Sequence, residues 1–110
     1  MMLRRTLFSL LAAASLATGT AWSQTYPNRT ITLVVPFAAG GPTDVVARSL
    51  SVPMAKALGQ TVVIENRTGA GGTLAAGAVA RAAPDGYTFL IHHNGMATAP
   101  ALYRKLPYNP

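Results

Sequence analysis

Two pairs of glycines, Gly40-Gly41 and Gly71-Gly72, each follow a β-branched run and open onto a stretch with helical spacing. Residues of this kind do their chemistry through the backbone. Glycine lets the chain turn tightly and approach a bound group, and the first turn of the following helix carries N–H groups with no internal acceptor. The helix dipole adds positive potential at the same point, so a strand–glycine–helix junction suits a carboxylate or another small anion. The pairs lie about 31 residues apart, the length of one strand–helix unit. Two such loops at one edge of a sheet point to an anion-binding edge rather than a catalytic centre.

The neighbours of the glycines sharpen this reading and leave alternatives open. Pro42-Thr43-Asp44 follows the first pair, and Asp44 falls at the third helical position. There its carboxylate either caps the loop's own N–H groups or touches a ligand that also carries an ammonium or hydroxyl. A tight turn followed by a cap is the plain alternative for the whole segment; the second glycine loop, Gly69 to Gly72, favours the binding reading. Neither cluster is a nucleotide motif. A dinucleotide fingerprint starting at Gly69 needs glycine where Leu74 stands, and no Gly-Lys-Ser or Gly-Lys-Thr occurs. No cofactor is expected.

His92 and His93 are expected to end a strand, and strand alternation sends them to opposite faces, which denies a metal ion both rings at once. A structural or solvated role is the simpler reading, with one ring near the ligand edge. The serines Ser9, Ser15, Ser23, Ser49 and Ser51 lack a nucleophile-elbow context. The chain has no cysteine, hence neither disulfides nor thiol chemistry.

The elements that must position these loops can be read in order. Thr30 to Pro36 is an apolar, β-branched strand of the buried parallel type. Pro42 to Leu58 has Val46, Leu50, Met54, Ala57 and Leu58 at helical spacing, with Pro42 suited to the first turn and Gly59 just past the end. Pro53 removes the bond to the Ser49 carbonyl, so a bend is expected between Ser49 and Val52. Thr61 to Glu65 is a second strand. Thr73 to Ala83 is an alanine-rich helix with Ala75, Ala78, Val79 and Ala82 on its packing face, ended by Pro84. A turn at Ala83-Pro84-Asp85-Gly86 leads to a third strand, Tyr87 to His92. This β-α-β-α-β order implies right-handed crossovers and an α/β fold with a parallel sheet flanked by helices.

Arg4-Arg5 before the apolar run Leu7 to Ala17 marks residues 1–23 as a signal peptide, with cleavage before Gln24 or earlier near Ala17 to Gly19. General secretion fits better than twin-arginine export. Removing the signal leaves seven basic against three acidic residues, a charge of about +4. The cations are spread without interleaved aromatics, which argues against nucleic acid and for mild attraction of acidic solutes. The remainder, 24–110, is enough for one marginal domain. Its end, Leu106 to Pro110, reads as a connection about to continue, so the chain is expected to be truncated.

Tyr26-Pro, Val34-Val-Pro-Phe-Ala-Ala-Gly-Gly-Pro-Thr-Asp, Ala47-Arg, Leu58-Gly, Glu65-Asn-Arg, Gly69-Ala-Gly-Gly and Pro84-Asp-Gly-Tyr-Thr occur in that order. With these motifs the chain resembles the Bug family, periplasmic solute receptors of tripartite tricarboxylate transport systems. The resemblance implies the N-terminal part of the first lobe of a two-lobed periplasmic binding protein. Such a receptor closes on a small organic acid, a di- or tricarboxylate, acidic amino acid or aromatic carboxylate, and presents it to a membrane permease. Carried over by position, it assigns ligand binding to Phe37, Ala38, Gly40, Gly41, Thr43 and Asp44, to Ala70, Gly71 and Gly72, and to Asn94, Gly95 and Thr98, helped by ordered water. Pro53, His92-His93 and the short length depart from the family pattern. No catalytic residue is implied. The alternatives are a fragment without function, and a small periplasmic enzyme using His92 or His93 as a base.

Overall fold

The computed structural model describes residues 25–110. The expected signal peptide, 1–23, and its cleavage point lie outside them. The elements are β1 (Ile31–Val35), α1 (Pro42–Leu58), β2 (Val62–Asn66), a 3-10 turn (Ala70–Gly72), α2 (Thr73–Ala80), β3 (Thr88–Leu90) and α3 (Gly95–Leu102). The strands form one parallel sheet in the order β2-β1-β3. Ile31 stands opposite Val62, and Leu33 stands between Ile64 and Phe89. The expected α/β architecture is therefore present.

β1 is apolar at four of five positions because it is central and covered on both faces. Leu33 and Val35 meet Ala47 of α1, with Val62, Ile64 and Ile91 packed around them. The alternate residues Thr32 and Val34 face α2, where Ala78 and Val79 stand opposite, with Ala82 just past the helix end. Helices on both faces place every strand-to-helix loop at the C-terminal edge of the strands, and the order β2-β1-β3 puts the switch in strand order between β1 and β3.

Several expectations need correction. The α1 stripe is rotated: Val46 and Leu50 remain 51% and 44% exposed, and the buried residues are Asp44 and Ala47. The helix must bury Asp44 to satisfy the loop before it, and that sets its face. α1 runs through Pro53 to Leu58 as one element, with Gly59 in the left-handed region at its end. Ser49, Val52 and Pro53 are all exposed, so the carbonyl that Pro53 leaves unbonded lies on the solvated side.

β2 is shifted by one residue to include Asn66, and α2 stops at Ala80, where Arg81 and Ala82 N–H groups turn to the Ala78 and Val79 carbonyls. Thr73, Ala75, Ala76 and Gly77 are its buried residues, while Ala78 and Val79 are half-buried. β3 covers only Thr88–Leu90, and α3 follows where no helix was expected. The C-terminal residues do not extend away. Pro107 covers Gly77, the Pro107 carbonyl accepts from Arg81, and Leu106 and Tyr108 are half-buried.

At the opposite edge the N-terminal segment is strapped to the turn before β3. Tyr26 donates to the Gly86 carbonyl at 2.6 Å, and Arg29 pairs with Asp85 at 2.7 Å while lying over the Tyr87 ring. This accounts for the Pro-Asp-Gly-Tyr motif as a structural device. Leu33→Ala in the core of the sheet should cost about 2–5 kcal/mol, whereas Leu50→Ala on the exposed side of α1 should cost less than about 1 kcal/mol. Urea denaturation of the two variants measures the difference, and equal losses would contradict the packing described.

Candidate functional site

The first loop leaves β1 through the buried Pro36 and turns at Ala38, whose carbonyl accepts from Gly41 N–H at 3.2 Å. Gly40 has φ +84 there, a conformation open to glycine and costly for other residues. The turn is held from behind by Asp44, which is 1% exposed. Its Oδ2 accepts from Gly40 N–H and from Arg48 Nε, both at 2.8 Å, and its Oδ1 accepts from Asn66 Nδ2 at 2.9 Å. Asn66 also donates to the Phe37 carbonyl at 2.9 Å, so the end of β2 clamps the loop after β1. The Arg48 hydrogen bond, then Gly40 N–H and the Asn66 amide, hold the Asp44 carboxyl well below the ordinary carboxylate range. The capping arrangement is thus present, with the oxygens of Asp44 already engaged by protein donors.

The second loop runs through Gly69, Ala70, Gly71 and Gly72, all with positive φ. Gly72 N–H bonds the Gly69 carbonyl, and Thr73 Oγ1 donates to the Ala70 carbonyl. A methyl group at Gly72 would stand 2.5 Å from His92 Nε2 and 3.1 Å from Pro36 Cβ. Glycine here is what lets the third loop close over the second.

That third loop follows β3. His92 and His93 lie beyond the strand, so alternation does not separate them. Their rings are 5.1 Å apart, and both pack on Phe37, His93 stacked at 4.4 Å and His92 edge-on at 5.7 Å. The opposite-face expectation is overturned, because a strand's period ceases to apply once the chain leaves it. His92 Nδ1 accepts from His93 N–H at 2.9 Å, and His93 Nδ1 accepts from Gly95 N–H at 2.8 Å at the start of α3. An open cavity of about 220 Å³ is lined by Pro42, Thr43, Val46, Ile91, His92 and His93.

Of the residues the resemblance assigned to the ligand, Phe37 to Asp44, Ala70 to Gly72 and Asn94 to Gly95 gather at one edge. Thr98 lies a turn into α3, with Oγ1 on the Gly95 carbonyl. The N–H groups of Gly40, Gly41, Gly72 and Gly95 already have acceptors. Those of Ala38, Thr43, Ala70 and Gly71 find none among the described residues. Sequence reasoning gave Asn66 no role, although its place at the end of β2 was the available signal. Among the described residues no group of three potential metal ligands occurs, and no carboxylate pairs with either histidine.

The profile of the tripartite tricarboxylate transporter family receptor matches residues 46–110. The chain belongs to this family. An Agrobacterium vitis protein encoded in the TAR-I ttuE-ttuC' intergenic region is 54% identical over 85 residues, 77% of this chain and 25% of that protein. BugT of Bordetella pertussis is 44% identical over 88 residues, 78% of this chain and 27% of the relative. Among solved structures, the periplasmic binding protein BugD superposes with a TM-score of 0.75 at 58% identity, over 76% of this chain and 28% of BugD. MatC of Rhodopseudomonas palustris, solved with bound malate, gives 0.73 at 59% identity over 76% of this chain and 29% of MatC. An R. palustris protein solved with adipate gives 0.73 at 44% identity, over 77% of this chain and 29% of that one. The chain spans about a quarter to a third of the length of the curated relatives it matches.

Two outcomes follow from this geometry. Because the folded Asp44 carboxyl sits below its unfolded value, its contribution is complete above about pH 4 and drains away as pH falls toward the folded value. Asp44→Asn should therefore be less stable at neutral pH and lose less of its stability on acidification below about pH 4, read from urea midpoints across pH. Gly40→Ala meets open space and should cost about 1–2 kcal/mol for its φ alone. Gly72→Ala should cost clearly more, since it also strikes His92 and Pro36. Equal urea midpoints for the two glycine variants would contradict the placement of His92.

Proposed function

We propose that this chain is the ligand-edge portion of an exported solute receptor that binds a small organic acid and delivers it to a membrane permease. The observation that carries this reading is the cluster of backbone N–H groups at Ala38, Thr43, Ala70 and Gly71 that find no acceptor among the described residues. They lie on two loops locked together by Asn66 and Asp44. A carboxylate supplies the acceptors such donors lack, and helix N-termini add favourable potential. Ordered water completes the contacts at little cost, so no dedicated arginine is required. Malate and adipate in related structures support the ligand class.

In this reading Phe37, Ala38, Gly40, Gly41 and Thr43 shape the first wall of the site, and Asp44 holds that wall from behind. Ala70, Gly71 and Gly72 form the second wall, with Asn94, Gly95 and Thr98 bordering the third. The two-lobed closure, the periplasmic location after loss of residues 1–23 and the permease partner belong to the same proposal. So does the absence of catalysis, supported by kinship with binding receptors and by histidines that no carboxylate orients. Isothermal titration calorimetry of the purified protein against malate, adipate, aspartate, citrate and benzoate should give saturable heat with at least one acid and none with neutral sugars. Silence across the acids, or saturable binding of a sugar, would overturn the reading.

A further inference from the structure

We infer that His92 and His93 are direct ligand-contact residues, each offering its Nε2–H to the oxygens of the bound carboxylate. This rests on the organic-acid reading above and adds two side-chain donors to a site otherwise built from backbone. The hydrogen bonds at Nδ1 assign the tautomers. His93 Nδ1 accepts the Gly95 N–H, which puts that ring's proton on Nε2. His92 Nδ1 stands 2.9 Å from the His93 N–H and 3.1 Å from the His93 carbonyl. Because a backbone N–H can only donate, Nδ1 is assigned as the acceptor and the His92 proton to Nε2. Neither Nε2 has a protein partner among the described residues, and His92 Nε2 is not among the buried polar atoms left without one. Both donors are therefore available beside the cavity at the start of α1.

The rings also pack on one another and on Phe37. His93 is stacked on Phe37, His92 stands edge-on to both, and the bare Cα of Gly72 gives His92 Nε2 its place between the second and third loops. Ordering cost is thus met before a ligand arrives. The protein itself has no acid to offer these donors. Its mature part contains only three acidic residues, Asp44, Glu65 and Asp85, and each is paired with an arginine, Arg48, Arg67 and Arg29 respectively. With those acids engaged by arginines, an incoming carboxylate can present one oxygen to each of the two N–H groups.

Amide substitutions separate this role from a merely structural one. His→Asn keeps an acceptor where Nδ1 was and removes the Nε2 donor; His→Gln reaches the Nε2 position with a donor and abandons the Nδ1 acceptor. Calorimetry with malate and adipate should show His92→Asn and His93→Asn weakened about 10-fold or more. His92→Gln and His93→Gln should stay within about 3-fold of the parent. The reverse order, or no change in any variant, would overturn the inference. A second measurement needs no variant: in ¹⁵N-histidine spectra of the parent protein, saturation with the acid that binds should shift both Nε2–H signals. Unmoved signals would overturn the inference even if every variant failed to fold. Should the parent bind no acid at all, the receptor reading itself fails, and that result is seen before any histidine is changed.

Discussion

One carboxylate holds the C-terminal edge of the sheet together. Asp44 is buried at the start of α1 and takes donors from three separate stretches of chain: Gly40 in the loop it caps, Arg48 one turn along its own helix, and Asn66 at the end of the neighbouring strand. A buried charge is tolerable only when it is hydrogen-bonded and paired, and here both conditions are met at once. The same bonds fix the loop's shape, the rotation of α1 on the sheet and the closeness of the first two loops. Val46 and Leu50 stay exposed as a direct consequence, since a helix that buries Asp44 and Ala47 cannot also bury a stripe on a different side.

The edge has two kinds of polar group. Gly40, Gly41, Gly72 and Gly95 direct their N–H groups inward and build the scaffold, while those of Ala38, Thr43, Ala70 and Gly71 have no acceptor among the described residues. A site made this way is neutral in side chains yet positive in potential, because helix ends and oriented amides act as fixed dipoles that need no reorganisation when an anion arrives. Three of the arginines, Arg29, Arg48 and Arg67, are engaged by the three acids, so the positive potential at this edge comes from the backbone.

Phe37 joins the first loop to the third. Its ring is the common surface on which both imidazoles pack, and the contact is possible only because Gly72 has no side chain to hold His92 away. The three loops therefore form one unit: Asn66 couples the first to the second, Gly72 the second to the third, and Phe37 the third to the first. A change in any one of them reaches the others through contacts rather than through the sheet.

The sequence by itself determined the alternation of strands and helices, the parallel sheet and the edge at which the glycine loops collect. Those follow from local rules, namely β-branched runs, helical spacing and proline and glycine punctuation, and such rules act within a few residues. α1 ran from Pro42 to Leu58 as its end signals implied. The face that α1 buries, the role of Asn66 and the meeting of His92 with His93 on Phe37 were decided only by tertiary structure. Each depends on partners far apart in the chain, Asn66 on Phe37 across 29 residues and His92 on Gly72 through a loop closure. Nothing in the spacing around any one residue records what a distant segment will present to it.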